Sequence, residues 1–200
     1  MTATLIGIAG VPCAGKTTLC MRLEEKPGIT CLRMEDFYKG NELIPLYRNF
    51  RNYDSPLSID FEALGRTIKS LKRGESVDVP VYSKDSAGAV GIRKITAAGI
   101  IIVEGFLLFV KKEIRDLFDV RIFMDVDQET QLMRKKGRNA GLDSNLEYYN
   151  KVLVPMSKKH VVPTKKYADY ILDGTKTIDE LTTELIDILS DLNCYSKSIS

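Results

Sequence analysis

Residues 10–17 combine glycine, lysine and threonine at a spacing suited to binding a phosphate chain. Gly10, Gly15, Lys16 and Thr17 form G-x-x-x-x-G-K-[ST] without a mismatch, between an apolar run and a helix-like run. The glycines let successive backbone N–H groups point into one concavity, at the positive end of the following helix. Lys16 can reach the β- and γ-phosphates, and the Thr17 hydroxyl can ligate Mg²⁺. The stretch predicts a nucleotide site made of Gly10, Val11, Pro12, Cys13, Ala14, Gly15, Lys16, Thr17 and Thr18.

Acidic residues follow two apolar runs. Glu35 and Asp36 come after residues 29–34, and Glu104 follows the wholly apolar residues 100–103. The carboxyl ends of parallel strands converge, so we expect these acids to lie near the bound phosphates. Phosphoryl transfer needs one acid in the Mg²⁺ shell and another that accepts the proton of the acceptor hydroxyl. The three acids are therefore candidates for these two roles.

Basic residues form a third candidate group at the end of a predicted helix. Arg134 and Arg138 lie four residues apart, with two lysines between them, and so share one helix face. Cations are favoured at any helix C-terminus, so the cluster alone is weak evidence. Beside a phosphate site, a cationic flap can stabilise charge on a transferring phosphoryl group. We interpret residues 134–146 as a lid that carries these two catalytic arginines.

The elements that must position these residues alternate between strand and helix. Strands are predicted at 5–9, 29–34, 100–103, 120–124 and 170–172, and helices at 16–25, 59–72, 111–117, 127–138, 146–159 and 178–192. Such alternation predicts an α/β fold of three layers, with a mostly parallel central sheet and helices on both faces. Residues 77–96 predict a small β-hairpin, and the irregular residues 39–57 predict a functional loop. We expect one domain, residues 1–193, followed by a polar tail at 194–200.

Composition limits the possible partners without identifying one. The 200 residues carry a net charge of +2 with 44% hydrophobic and 28% charged residues, which is ordinary for a soluble domain. The small net charge does not indicate a nucleic-acid partner. No apolar run is long enough to span a bilayer, so a membrane is not a predicted partner either. The four cysteines have no metal-binding spacing, and reduced thiols fit a cytoplasmic location.

From about residue 5 to 189, the chain resembles the uridine kinase and phosphoribulokinase-like branch of P-loop kinases, and within it the nucleoside kinases. The segments similar to nicotinamide riboside kinase are residues 10–19 (GVPCAGKTTL), 102–109 (IVEGFLLF), 154–156 (VPM) and 172–176 (LDGTK). The segments similar to uridine kinase are residues 53–56 (YDSP), 79–82 (VPVY) and 163–171 (PTKKYADYI). The resemblance implies a P-loop NTPase-type fold with ATP and Mg²⁺ as cofactors.

The resemblance also implies roles for individual residues. The general base for the 5′-hydroxyl lies in the stretch Glu35-Asp36-Phe37-Tyr38. Uridine kinases have aspartate where this chain has Glu35, which is one methylene longer, so either Glu35 or Asp36 could serve. Glu104 matches the acid of the Mg²⁺ shell, with Thr17 and Glu35 as its predicted partners. Asp54 matches the residue that holds the ribose 2′- and 3′-hydroxyls. The other predicted substrate-binding residues are Phe37, Tyr38, Tyr53 and Tyr82.

Two departures from the uridine kinase pattern concern the base of the acceptor. Uridine kinases follow the matched P-V-Y with a histidine that reads a pyrimidine, whereas Tyr82 is followed here by Ser-Lys-Asp-Ser-Ala-Gly. The lid is short and lacks an R-G-R segment, as in the riboside kinases. The tyrosines could instead stack an aromatic or cationic base.

The sequence therefore predicts a kinase that uses ATP to phosphorylate the 5′-hydroxyl of a ribonucleoside, of the uridine, cytidine or nicotinamide riboside type. Another small acceptor, such as pantothenate or a sugar phosphate, is an alternative within the same fold. A GTPase switch is disfavoured because the nearest stretch to N-K-x-D, residues 164–167, lacks the closing acid. A regulatory nucleotide-binding protein without catalysis is disfavoured by the retained acids.

Overall fold

A computed structural model describes residues 3–83, 88–138 and 144–192. Several predicted features lie outside the described residues: the hairpin tip at 84–87, the lid residues 139–143, the side chain of Arg138 and the tail 193–200. Within the described ranges, no helix is both long and apolar enough to cross a membrane.

The described part of the chain contains nine strands and seven α-helices, together with short 3₁₀ and π-helical segments. The strands are β1 (Thr4–Gly10), β2 (Ile29–Arg33), β3 (Leu46–Tyr47), β4 (Phe50–Arg51), β5 (Val77–Ser83), β6 (Gly88–Ile95), β7 (Ile100–Glu104), β8 (Val120–Asp125) and β9 (Tyr170–Asp173). The helices are α1 (Lys16–Glu24), α2 (Phe61–Lys72), α3 (Lys112–Arg115), α4 (Gln128–Arg138), α5 (Ser144–Tyr148), α6 (Val154–Met156) and α7 (Ile178–Asp191). Most predicted elements are confirmed to within a few residues.

The central sheet has five parallel strands in the order β2-β7-β1-β8-β9. All five residues of β7 are buried, because this strand lies inside the sheet and both of its faces are covered. The predicted α/β fold with a mostly parallel sheet is therefore confirmed. Helices or long loops, rather than tight turns, separate neighbouring strands of this sheet along the chain, as parallel pairing requires.

Register brings the predicted chemistry to one edge of the sheet. Ile8 of β1 and Arg33 of β2 both pair with Glu104 of β7, and Gly10 pairs with Met124 of β8. The phosphate-binding loop, the turn that carries Glu35 and the end of β7 therefore leave the sheet side by side.

The long connection between β2 and α2 contains more structure than its sequence suggests. Strands β3 and β4 pair through a tight turn in which Arg48 and Asn49 both have positive φ, 50° and 66°. The stretch is too short for a period-2 pattern to show, so the sequence predicts only an irregular loop. The predicted hairpin is present as β5 and β6, with a register shift between Val81 and Tyr82.

Helix α4 begins where its sequence predicts, because the Asp127 carboxylate accepts the Thr130 N–H at 2.6 Å. The predicted helix 146–159 belongs to a longer helical segment, 144–167, in which wide turns flank α6. Pro155 cannot donate to the Lys151 carbonyl and so interrupts the regular ladder. Arg48 Nη1 lies 3.5 Å from that carbonyl, which ties this segment to the β3–β4 turn.

Candidate active site

A cavity of about 570 Å³ lies at the carboxyl edge of the sheet. The phosphate-binding loop lines it with Pro12, Cys13, Gly15, Lys16 and Thr17. The acids in its lining are Glu35, Asp54 and Glu104, and the aromatic residues are Tyr38, Phe50, Tyr53, Tyr82, Phe106 and Tyr148. Arg51, Lys135 and Leu153 complete the lining. One cavity thus joins the predicted donor site to the predicted acceptor residues.

The loop turns sharply at three residues with positive φ, which are Gly10 (149°), Cys13 (62°) and Gly15 (100°). At Gly10 a side chain would also collide with β8, since a Cβ there would lie 2.2 Å from the Met124 carbonyl oxygen. The Val11 N–H donates to that same carbonyl at 3.2 Å, which fixes the start of the loop against the sheet. Glycine at position 10 is therefore required by both conformation and space.

Lys16 is folded onto the loop that it would help to bind phosphate. Its Nζ donates to the carbonyl oxygens of Gly10 at 3.0 Å and Val11 at 2.9 Å. Burial lowers the pKa of the ammonium, and the carboxylates of Glu104 and Glu35 oppose that effect. The carbonyl contacts therefore stabilise a buried cation at the mouth of the loop, where phosphate oxygens can replace them.

Thr17 and Glu104 meet as a candidate magnesium site. The Thr17 hydroxyl donates to Glu104 Oε1 at 2.9 Å, and only 3% of Glu104 is exposed. Burial raises the pKa of Glu104, whereas the Lys16 ammonium opposes that effect. The described residues contain no group of three or more His, Cys, Asp or Glu side chains that could hold a metal by themselves. One hydroxyl and one carboxylate fit Mg²⁺ that takes its remaining ligands from phosphates and water.

The two adjacent acids after β2 point to different surroundings. Glu35 lines the cavity together with Lys16 and Glu104. Asp36 is 8% exposed and faces the hairpin, where it accepts from Arg93 Nη2 at 3.1 Å and from the Tyr82 N–H at 3.3 Å. Of the two candidates for the general base, the structure therefore brings Glu35 to the cavity.

Phe37 is placed differently from its sequence-based interpretation. Its side chain is 5% exposed and belongs to the hydrophobic core rather than to the described lining of the cavity. The 3₁₀ turn Met34–Phe37 explains the difference, because it directs Glu35 to the cavity and turns Phe37 inward. The predicted contact between Phe37 and substrate is corrected to a packing role.

Asp54 is held by a residue that the sequence interpretation missed. The Tyr148 hydroxyl donates to Asp54 Oδ2 at 2.6 Å and accepts the Tyr53 N–H at 3.2 Å. Burial raises the pKa of Tyr148, and the nearby Asp54 carboxylate adds to this, so the phenol stays a donor. Tyr148 lies 94 residues from Asp54 on a separate helix, and no motif or spacing connects the two in the sequence.

Three of the predicted substrate-binding residues form one aromatic wall of the cavity. The Tyr38 ring lies 5.5 Å from the Tyr53 ring, edge to face, and 4.9 Å from the Tyr82 ring. The Tyr53 hydroxyl donates to Asn41 Oδ1 at 2.7 Å, and burial raises the pKa of Tyr38. The wall therefore offers ring faces and edges in a fixed arrangement.

The Arg134 side chain contacts the backbone of the phosphate-binding loop. Nη1 donates to the Cys13 carbonyl at 3.1 Å, and Nη2 donates to the Gly174 carbonyl at 2.7 Å. Lys135, one of the two lysines between the predicted lid arginines, lines the cavity. Arg134 thus joins the loop to the segment after β9, and Lys135 is the described cation of α4 that reaches the cavity wall.

Comparisons with known proteins agree with this arrangement. The sequence pattern of the Phosphoribulokinase / Uridine kinase family matches residues 5–180. A uridine kinase from Staphylococcus aureus (strain JH9) is 33% identical over 201 aligned positions, which cover 94% of this chain and 97% of that protein.

Solved structures show the same fold at lower identity. A structure from Bacillus stearothermophilus described as a possible uridine kinase has a TM-score of 0.65 and 20% identity, covering 86% of this chain and 90% of the other. A candidate fructose transport system kinase from Silicibacter sp. TM1040 has a TM-score of 0.68 and 22% identity, with the same coverage. The family match over most of the chain, and not these structural likenesses, carries the assignment: the protein is a kinase and belongs to the phosphoribulokinase/uridine kinase family.

Proposed function

We propose that this kinase transfers the γ-phosphoryl group of ATP to the 5′-hydroxyl of a ribonucleoside. One observation carries the proposal: a single cavity holds the phosphate-binding Lys16 and Thr17 together with Glu35 and Asp54. Phosphoryl transfer requires a donor cradle, an acid for the acceptor proton and a group that orients the acceptor, and these residues supply all three.

The donor half of the cavity suits Mg²⁺–ATP. When bound, Mg²⁺–ATP supplies the group to be transferred, and the metal neutralises charge on its phosphates. Lys16 binds phosphate oxygens in place of the carbonyl oxygens of Gly10 and Val11. The Thr17 hydroxyl and the Glu104 carboxylate, 2.9 Å apart, hold the metal and its water shell.

Glu35 acts as the general base in this proposal. Glu35 lines the same cavity as the phosphate-binding loop and the aromatic wall, so its carboxylate can accept the proton of the attacking hydroxyl. Glutamate reaches one methylene further than aspartate would at this position. Asp36 is engaged with Arg93 and Tyr82, which supports assigning the base role to its neighbour.

Asp54 binds the ribose of the acceptor in this proposal. A carboxylate can accept hydrogen bonds from two neighbouring hydroxyls, which matches the 2′,3′-diol of a ribonucleoside. Tyr148 fixes the carboxylate by donating to Oδ2, so the ribose is bound by an oriented group. The wall of Tyr38, Tyr53 and Tyr82 stacks against the base.

Lys135 and the lid arginines complete the site around the transferred group. Lys135 approaches from the wall of the cavity, and Arg134 keeps the phosphate-binding loop in shape through the Cys13 carbonyl. Arg138 is proposed to act with them when the lid closes and excludes water.

Cys13, Cys20 and Cys31 are free thiols, which supports a cytoplasmic location.

The proposal is tested by an acceptor screen with Mg²⁺–ATP and ADP release as the readout. The acceptors are uridine, cytidine, nicotinamide riboside, pantothenate and fructose 6-phosphate, with Lys16→Ala as the inactive control. At least one ribonucleoside is expected to stimulate ADP release far above the rate without acceptor. Stimulation by pantothenate or the sugar phosphate alone would contradict the proposal.

A further inference from the structure

The buried carboxylate of Asp36 connects the β5–β6 hairpin to the 3₁₀ turn Met34–Phe37. Asp36 lies in the turn after β2, directly beside Glu35, and is 8% exposed. Its two oxygens contact both strands of the hairpin: Oδ1 accepts from the Tyr82 N–H of β5, and Oδ2 accepts from Arg93 of β6. A buried carboxylate is costly without such partners, so the two contacts account for its burial.

A β-bulge places the Tyr82 amide at this contact. Val81 pairs with Gly91, whereas Tyr82 pairs with Ala89, which leaves Val90 as the extra residue. A bulge disturbs the ladder locally and turns the strand. At this irregularity the Tyr82 N–H donates to Asp36 at 3.3 Å, and the Tyr82 ring lies 4.9 Å from Tyr38 in the cavity.

Arg93 reaches Asp36 from the inner face of the hairpin. It pairs across the hairpin with Val79, which is fully buried, so both side chains face the body of the protein. The Arg93–Asp36 ion pair spans 3.1 Å, and the Arg93 side chain is 33% exposed. Lys94, the next residue, pairs with Asp78 on the outer face, where both residues are exposed.

We propose that Asp36 and Arg93 are a positioning pair, which docks the hairpin and thereby sets the distance between Tyr82 and the Glu35 carboxylate. The inference rests on the proposed function, because it takes Tyr82 and Glu35 to be residues that act on the acceptor. Tyr82 and Glu35 lie 47 residues apart in the sequence, but both are connected to Asp36. Glu35 is the preceding residue, and the Tyr82 N–H donates to the Asp36 carboxylate. Neither Asp36 nor Arg93 touches the acceptor; they act through Tyr82 and Glu35.

The kinetic experiment compares Arg93→Ala with Lys94→Ala, a matched loss of one cation from the opposite face of the same strand. Arg93→Ala is expected to raise the KM for the nucleoside about tenfold and to leave the KM for ATP within about twofold, because one charge-assisted contact on the acceptor side is lost. Arg93→Lys keeps the charge and is expected to recover part of that loss. Lys94→Ala is expected to match the wild type in both constants.

Asp36→Asn separates positioning from direct catalysis. It is expected to resemble Arg93→Ala, and the double variant is expected to lose little more than either single one, because both disrupt one contact. A kcat that falls by orders of magnitude in Asp36→Asn but not in Arg93→Ala would overturn the proposal, since Asp36 would then act on the reacting hydroxyl. Equal effects on the KM values of ATP and nucleoside, or no effect of Arg93→Ala, would also overturn it.

Amide hydrogen exchange at Tyr82, measured by NMR on the full chain, tests the docking without any turnover. Exchange at Tyr82 is expected to be faster in Arg93→Ala than in the wild type or in Lys94→Ala, because the Asp36 acceptor is released. Unchanged exchange would overturn the proposed docking. If the wild type phosphorylates no nucleoside while Tyr82 exchange responds as expected, the proposed function fails and the docking stands.

Discussion

Lys16 and Glu104 are both buried beside the phosphate-binding loop, and each one shifts the pKa of the other. Burial lowers the pKa of the lysine and raises that of the glutamate, and their mutual attraction opposes both shifts. The Thr17 hydroxyl adds a hydrogen bond to the charged form of Glu104. The attraction between Lys16 and Glu104 therefore favours the charged forms of both groups, and this hydrogen bond adds to it for Glu104.

Lys16→Ala is expected to reduce phosphoryl transfer by about a hundredfold or more, because one fixed charge on the transferred phosphates is lost. The measurement is acceptor-dependent ADP release at saturating ATP. The matched control is Lys26→Ala, which removes an exposed lysine beyond the end of α1. A rate near that of the wild type would refute the assignment of the cradle.

Glu35→Gln is expected to lower kcat by orders of magnitude, because the amide cannot accept the proton of the attacking hydroxyl. The KM for ATP is expected to change little. Glu42→Gln, at an exposed glutamate in the following loop, serves as the control. A kcat within about threefold of the wild type would rule out Glu35 as the general base.

Tyr148→Phe is expected to raise the KM for the ribonucleoside about fivefold to tenfold, because Asp54 loses a hydrogen bond that orients it. The KM for ATP is the internal reference. Tyr149→Phe is the matched control, since the Tyr149 hydroxyl lies 3.4 Å from the Gln128 carbonyl and is not part of the described cavity lining. Equal changes in the two variants would show that Tyr148 only packs.

At the scale of elements, the local signals in the sequence were strong where a helix or strand has its own pattern. Helices α4 and α7 begin where the sequence predicts, because Asp127 caps the first and Thr177 and Glu180 form a capping box at the second. Such caps depend on neighbours within three residues. The strands β3 and β4 and the bulge beside Tyr82 were not predictable in this way. Strands β3 and β4 are only two residues long, and the bulge lies where the Tyr82 N–H contacts Asp36 from another part of the chain.

Thr177→Ala is expected to lower the free energy of unfolding by about 1 kcal/mol, because the Thr177 hydroxyl that accepts the Glu180 N–H in the capping box is lost. The free energy is measured by urea denaturation. Thr183→Ala, at an exposed threonine within α7, is expected to have a smaller effect. Since α7 contributes no residue to the described cavity lining, kcat is expected to stay unchanged. A larger loss in Thr183→Ala would contradict the capping assignment.

At the scale of the whole molecule, the parallel sheet explains why residues distant in sequence share one cavity. Strands β1, β2 and β7 end at the same edge, which the sequence predicted from alternating strands and helices together with the glycine-rich loop. The choice between Glu35 and Asp36, the contact of Tyr148 with Asp54 and the position of Lys135 could not be predicted. Each depends on which way a side chain points within a three-dimensional packing of separate elements.

The most direct test compares the best ribonucleoside acceptor with its 5′-deoxy analogue, using ADP release and ³¹P NMR of the product. The ribonucleoside is expected to yield ADP and its 5′-monophosphate in equal amounts. The 5′-deoxy analogue, which keeps the ribose diol but lacks the accepting hydroxyl, is expected to yield neither and to compete with the ribonucleoside. A phosphorylated product from the 5′-deoxy analogue, or phosphate found on the 2′- or 3′-oxygen, would contradict the proposed function.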